Sequence, residues 1–492
     1  MQIAVLNIMV ASSIPNRIFA LKNQVMKKKS GFFLLAFLGA TGISAQSEQK
    51  DFFVIKDGAV SENYTQDPLK NAEAEAKKQT IVAEKDALPV YKSASFEIDD
   101  MINSGVIYVN DELSPYLQSI VNKLYAVKPG GTDVVKVLLS RHTNPNAFCF
   151  LDGTVIVNVG LVAALENEDQ LAGVLAHELS HYSKKHSLNK IKRGKELEKQ
   201  EEESDSKTGI IFRSLQYSRE NEFEADASGI VWLSQTSYNA NEYEKALSKV
   251  TTSFIDSIPL NLSELFNSDK FTVDTNFITR KNIEKELKKS NTKNKSIIGD
   301  NEELFETHPD SEKRMLAVSE ILKSLEYKTP TNSENVQYAE FYRKAQFEVC
   351  ENEFSDGRYL ESLHSALKLM TKYPESNTAS LLVVKNLYWL CRLKENGVLG
   401  EFLSHANLEK SPSMAKLKLF FDKTKSNDLG KFLYTYVKRE SERKADNSDL
   451  LFYLGASAEM HLGKDAAAIH YRSYAVKYPQ GRFIAYVSTK ID

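Results

Sequence analysis

Nine histidines are spread over 492 residues, yet three of them, His177, His181 and His186, crowd into the stretch LAGVLAHELSHYSKKH (171–186). Residues four apart on a helix leave the same face, so His177 and His181 can grip one metal ion together. Glu178 is turned about 100° from His177 around that helix, which sets its carboxylate beside the metal, where it can take a proton from water. The preceding LAGVLA is apolar all round, so the helix is buried, and unpaired histidine and glutamate there would be costly. A bound metal removes that cost; the plain alternative is a helix turning these groups to solvent. His186 and His142 read most simply as structural or surface residues.

Catalytic zinc usually takes three protein ligands and keeps a position open for water. SRENEFEADASG (218–229) places Glu222 and Asp226 four apart on a second helix, hence on one face. Glu222 can complete a His, His, Glu set, and Asp226 can reach the free ring nitrogen of a ligating histidine and fix its tautomer. Spacing alone leaves Glu220 and Glu224 as rivals for the third ligand, and an ordinary acidic helix surface as the bland reading.

The elements that must position these groups can be read around them. VIYVNDELSPYLQSIVNKLYAV (106–127) predicts a short strand and then an amphipathic helix with Leu113, Leu117, Ile120, Val121 and Leu124 at helical spacing. VVKVLLS (134–140) and TVIVNVG (154–160) are β-branched runs bounded by Gly, Pro and Asn, hence strands, with NPNAFCFLDG (144–153) as a turn and edge segment between them. Residues 161–188 are expected as one long helix, a second covers about 215–234, and the charge run 190–207 reads as a solvated helix or loop. The stretch 46–95 reads as a polar, lightly packed N-terminal arm, and 261–300 as an insertion or mobile loop. Beyond residue 335 the pattern is helical. GRYLESLHSALKLMTKYP (357–374) is echoed by GKDAAAIHYRSYAVKYP (463–479), and the two KYP tripeptides stand 105 residues apart. That is three periods of about 35, close to the ~34 of tetratricopeptide repeats. The fold class expected is α+β: a mainly helical domain with a small sheet over 96–325, followed by an all-α, tetratricopeptide-like domain over 335–492.

Taken together, HELSH, the downstream SRENEFEAD, the upstream NAF followed by GTVIV, and the later HPDSEKR resemble the gluzincin metalloendopeptidases that include the HtpX, CAAX prenyl protease and BepA types. The resemblance covers about 100–325. It implies zinc held by His177, His181 and Glu222, Glu178 as general base, and Asp226 behind a ligand histidine. It also implies that His308, before Pro309, lies near the metal, and that Arg314 and Arg219 belong to the site's surroundings. Asn146 and Ala147 match the edge on which related enzymes lay an extended peptide, which agrees with strand addition as a way of binding unfolded chain. No membrane-length apolar run separates His181 from Glu222, which argues against a chamber within a bilayer and for an exported branch.

A net charge of −3, 42% apolar and 26% charged residues fit a soluble globular protein with no bulk attraction to nucleic acid or anionic lipid. Cys149, Cys350 and Cys391 lack CxxC spacing, so neither a disulfide framework nor a thiolate metal site is indicated. MKKKSGFFLLAFLGATGISAQ (26–46) has the lysines, short apolar run and small residues of a secretory signal, with cleavage expected near Ala45 and residues 1–25 as an upstream extension. The expectation is a periplasmic or extracytoplasmic enzyme with one zinc ion, hydrolysing peptide bonds of misfolded or stalled exported proteins, with helical repeats that bind a partner or client and at most peripheral membrane contact. The alternative is a chaperone-like adaptor whose zinc site is latent or structural.

Overall fold

The computed structural model describes residues 55, 58, 67–128, 135–201, 207–252, 265, 267–268, 271–272, 275–298, 311–325, 335–404 and 411–491. The expected upstream extension and signal, and also His308 and Pro309, lie outside the described residues. The chain divides into an N-terminal unit, Phe53–Phe254 with Asn301–Val349, and a C-terminal unit containing Ile255–Asp300 and Cys350–Asp492.

In the N-terminal unit the β-branched runs form β1 (Lys136–Ser140) and β3 (Thr154–Asn158), paired in parallel with Val137 opposite Val155 and Leu139 opposite Val157. β2 (Ala147–Cys149) lies antiparallel on the other side of β3, so the order is β1-β3-β2 and β2 is an edge. All five residues of β3 are buried, as a central strand covered on both faces requires. The expected strand at VIYV contributes a single bridge, Ile107 to Ser140. Asn110 turns at φ +53°, and Asp111 Oδ1 then accepts from Leu113 N at 2.8 Å and Ser114 N at 2.6 Å, starting a helix before a ladder can extend.

The helices of this unit are α1 (Pro68–Lys78), α2 (Glu84–Asn103), α3 (Leu113–Ala126), α4 (Val159–Ala164), α5 (Glu168–Ser183), α6 (His186–Glu201), α7 (Lys207–Ser234) and α8 (Glu242–Thr252). Later come α10 (Ser311–Ser324) and most of α11 (Val336–Ser355). The predicted single helix over 161–188 is corrected to three. Asn167 caps α5 by accepting from Gln170 N at 2.9 Å, which ends α4 upstream, and Lys185 at φ +53° separates α5 from α6. The lightly packed arm is also corrected: α1 and α2 bury Ala72, Ala76, Ala87 and Tyr91 against Leu188 of α6. The main core joins α3, the sheet, α5, Trp232 and Leu233 of α7, and Tyr338, Phe341 and Ala345 of α11.

In the C-terminal unit the segment expected as an insertion or loop contains a two-residue hairpin, β4 (Asn267–Ser268) with β5 (Phe271–Thr272), and then α9 (Arg280–Ile298), which packs against α15 (Pro412–Lys423). Its first half, RKNIEKELKK, is rich in Lys, Arg, Glu and Leu, good helix formers by propensity, which outweighs its polarity. α12 (Tyr359–Lys372) packs on α13 (Asn377–Glu395), α16 (Ser426–Arg443) on α13 and α17 (Ser448–His461), and α17 on α18 (Lys464–Lys477); α14 (Leu399–Ser404) and α19 (Ile484–Ser488) complete the described set. The two echoed sequences share local geometry. Each helix is preceded by a glycine at positive φ, Gly357 at +78° and Gly463 at +94°, and each ends on the tyrosine of KYP, Tyr373 at φ −130° and Tyr478 at φ −132°. The protein is thus α+β and mainly helical. Among the described residues no helix is long and apolar enough to cross a membrane, and all three cysteines are unpaired.

Candidate metal centre

α5 carries His177, Glu178 and His181, and α7 crosses it closely enough that a Cβ on Gly229 would stand 3.1 Å from His177 N. That close approach brings Glu222 to the histidines. His177 Nε2 and His181 Nε2 are 3.0 Å apart, and Glu222 reaches them at 3.5 and 3.4 Å. Among the described residues these three form the group of donors able to hold one ion, all ligand atoms within 4.8 Å.

Behind His177 stands a second layer. His177 Nδ1 is 2.9 Å from Asp226 Oδ1, and Tyr243 of α8 donates its hydroxyl to the same oxygen at 2.8 Å. Arg314 of α10 is almost completely buried and forks onto Asp226, Nε to Oδ2 at 2.8 Å and Nη2 to Oδ1 at 2.7 Å; its Nη1 lies 2.9 Å from Glu222 Oε2. Burial would raise the Asp226 carboxyl, but Arg314 and His177 outweigh it and hold Asp226 well below the usual carboxylate range. Asp226 therefore stays ionised and accepts a hydrogen bond from the Nδ1–H of His177. Burial, followed by the Asp226 charge, keeps the Tyr243 hydroxyl protonated and a donor.

Proton positions decide whether the donors suit a metal. With Nδ1–H donated to Asp226, a neutral His177 turns its Nε2 lone pair toward His181 and the Glu222 carboxylate, a set of donors that a cation would satisfy. Burial by itself would make His177 less basic, yet its hydrogen bonds with Asp226 and Glu222 lift it to about 9. The pocket thus draws positive charge, and two imidazoles with one carboxylate are the donor set of a catalytic zinc site.

The sequence-predicted residues fall as follows. Glu178 is buried beside His177, and both line an apolar pocket with Asn146 and Ala147, walled by Leu161, Val174, Ala246, Leu247 and Val250. Arg219 is half-buried on α7, three residues before Glu222. Of the two rivals for the third ligand, Glu220 is exposed, and Glu224 points elsewhere, its Oε1 2.9 Å from Lys184 Nζ. Tyr243 was not singled out by spacing; an aromatic on an amphipathic helix gives no local sign of a polar role. His186 was set aside, yet its Nδ1 lies 2.8 Å from His181 Nδ1 and its Nε2 3.3 Å from Glu224 Oε2.

A model of peptidase family M48 matches residues 111–200 and 204–322. The chain is similar to the beta-barrel assembly-enhancing protease of Yersinia pestis, 29% identical over 127 residues, covering 23% of this chain and 26% of that protein. It is similar to the mitochondrial metalloendopeptidase OMA1 of Schizosaccharomyces pombe, 31% identical over 140 residues, covering 26% and 40%. It also resembles the beta-barrel assembly-enhancing protease of Escherichia coli strain K12, 33% identical over 79 residues, 16% of each chain. The chain thus spans well under two thirds of the length of these relatives. The stretches that match the M48 peptidase model hold His177, Glu178, His181, Glu222, Asp226 and Arg314, the donors, the neighbouring glutamate and the groups behind them that the geometry brings together.

Proposed function

We propose that the protein is a zinc-dependent endopeptidase of the cell envelope that hydrolyses peptide bonds of exported, misfolded or stalled proteins. The observation that carries this reading is the convergence of His177, His181 and Glu222 with Glu178 alongside and Asp226 and Arg314 behind. Zinc held by His177, His181 and Glu222 supplies a Lewis acid that polarises a scissile carbonyl and makes water acidic enough to lose a proton near neutral pH.

The chain's own residues do the remainder. Glu178 takes the proton from the attacking water and delivers it to the leaving amine, so no covalent intermediate forms. Asp226, kept ionised by Arg314, fixes the His177 tautomer and stops the ligand ring from turning. β2 is an edge strand, and Ala147 in it lines the apolar pocket beside Glu178, so an extended substrate adding to that edge runs past the base with a side chain directed at the pocket. Asn146, just before β2, helps to set the rim. His308 is proposed to approach the site on the strength of the family resemblance alone.

Localisation in the envelope is supported by the signal-like 26–46 stretch and by the names of the assembly-enhancing relatives. The echoed helices of the C-terminal unit support a repeat surface that recruits a client or partner. The deciding experiment measures zinc content and cleavage of an unfolded protein by the mature chain and its Glu178→Gln variant. The expected result is about one zinc in each, with cleavage at least ~10³-fold lower in the variant. A wild-type chain that holds zinc but cleaves nothing overturns the enzyme reading and leaves an adaptor.

A further inference from the structure

We infer that His186 and Glu224 are a positioning pair for the zinc ligand His181, setting its tautomer through a second imidazole as Asp226 sets that of His177. The inference rests on the zinc reading of the site and deepens it.

The argument begins at Glu224. A carboxylate can only accept, so the contact from His186 Nε2 to Glu224 Oε2 at 3.3 Å places a proton on Nε2. A neutral His186 then has a bare Nδ1. The proton shared across the 2.8 Å gap between His186 Nδ1 and His181 Nδ1 therefore belongs to His181. His181 in turn has its lone pair on Nε2, the atom that faces His177 Nε2 and Glu222. Each ligand histidine thus ends on a carboxylate: His177 directly on Asp226, His181 on Glu224 through His186.

The backbone explains how His186 reaches this place. On one continuous helix a residue five further on is rotated by about 140°, which would carry His186 away from His181. Lys185 at φ +53° breaks the helix instead and swings the first residue of α6 back, bringing the two rings to 4.9 Å and 76°, edge to face. His186 is buried, Lys184 steadies Glu224 at 2.9 Å, and the start of α6 is anchored where Leu188 packs against α1 and α2. A ring placed there only to fill space would need neither the polar contact to the ligand nor the carboxylate behind it.

The test compares the wild-type mature chain with His186→Leu, His186→Asn and Glu224→Ala. Zinc affinity is measured by chelator competition at one pH, together with the visible spectrum of the cobalt-loaded protein. His186→Leu is expected to weaken zinc by ~10- to 100-fold and to change the cobalt spectrum. His186→Asn offers an amide oxygen where Nδ1 stood and is expected to stay within about threefold of wild type. Glu224 is half-exposed, so Glu224→Ala keeps the apo melting temperature while lowering affinity roughly three- to tenfold. Wild-type affinity and spectrum in His186→Leu overturn the inference, as does an Asn variant no better than Leu. Should the Leu variant not fold, wild-type affinity in Glu224→Ala overturns it alone. A wild-type chain that takes up no zinc overturns the reading of the site itself, so the two failures are distinguishable.

Discussion

The two units bury polar groups in different ways. In the N-terminal unit buried charges converge: Arg314 serves Asp226 and Glu222, and Glu168 gathers the hydroxyls of Tyr116 at 2.8 Å and Tyr238 at 2.9 Å. Glu348 likewise accepts from Ile55 N at 2.7 Å and from Tyr108 at 2.8 Å. In the C-terminal unit the buried polar groups form smaller, scattered sets that fasten helices, such as Asp449 with Arg482, or Glu440, which meets Ser380 at 3.3 Å and Arg443 at 3.3 Å. One buried carboxylate there, Glu353, leaves Oε2 without a hydrogen-bond partner. Convergent networks hold a reaction geometry at the cost of desolvating several charges, whereas scattered bonds fix helix pairs and leave apolar packing to supply stability.

The largest effect that can sharpen this contrast is removal of the shared cation. Arg314→Leu leaves Asp226 and Glu222 buried without their counter-charge and is expected to cost about 3–5 kcal/mol in the N-terminal unit. Arg482→Leu is expected to cost less, about 1–3 kcal/mol, because only one buried carboxylate, Asp449, loses its cation and Ser448 still stands beside it. The two tryptophans make the comparison practical, since Trp232 lies in one unit and Trp389 in the other. Denaturant unfolding followed in Trp389→Phe and Trp232→Phe backgrounds reads each unit separately. Equal losses from the two arginine variants would break the contrast.

A smaller effect concerns pH. Burial pushes the Glu353 carboxyl up from 4.5 to about 7, against the opposing pull of Arg358. A folded-state value above the unfolded one means the proton favours the fold, so this contribution is whole below about pH 4.5 and is lost as pH rises through 7. The C-terminal unit is expected to lose roughly 3 kcal/mol between pH 4.5 and pH 8, and Glu353→Gln to be nearly flat over that range. Trp389 fluorescence in urea at the two pH values measures it; a wild type and variant with parallel pH profiles would remove Glu353 as the weak point of that unit.

The parts of this organisation that sequence could reveal are those carried by local periodicity. His177 and His181 declare themselves by a spacing of four and β1 and β3 by β-branched runs, whereas in sequence Glu222 and Asp226 are set apart from Glu220 and Glu224 only by the family resemblance. Tyr243 and His186 do not declare themselves, because their roles depend on how separate elements meet. The positive φ that swings His186 onto His181 falls on Lys185, a residue type that does not advertise it, so the reading carried one helix through the break. α1 and α2 escaped notice because they pack mostly through Ala72, Ala76 and Ala87, which add little hydropathy, although the spacing of Ala72 and Ala76 was already helical. The same omission hid both facts, since α1 and α2 pack on the helix that begins at His186.

The smallest effects come from a matched pair of glycines, and they separate a backbone that positions chemistry from one that only packs. A Cβ on Gly160, at the start of α4, would stand 2.1 Å from Thr143 O and 2.7 Å from Asn144 O, atoms of the loop that leads into Asn146 and Ala147. Backbone cannot yield as a side-chain tip can, so Gly160→Ala is expected to displace that loop, cost about 1–3 kcal/mol and raise KM for an unfolded substrate more than it lowers kcat. On Gly430, within α16, a Cβ would meet His461 Cβ at 3.8 Å, which is ordinary contact. Replacing a helical glycine there by alanine reduces the freedom of the unfolded chain, so Gly430→Ala is expected to stabilise the C-terminal unit by about 0.5–1 kcal/mol with cleavage unchanged. Urea unfolding and steady-state kinetics on the two variants give the comparison. If Gly160→Ala is as benign as Gly430→Ala, the loop before β2 is not held by its contact with α4, and the edge proposed to receive substrate is set by β3 alone.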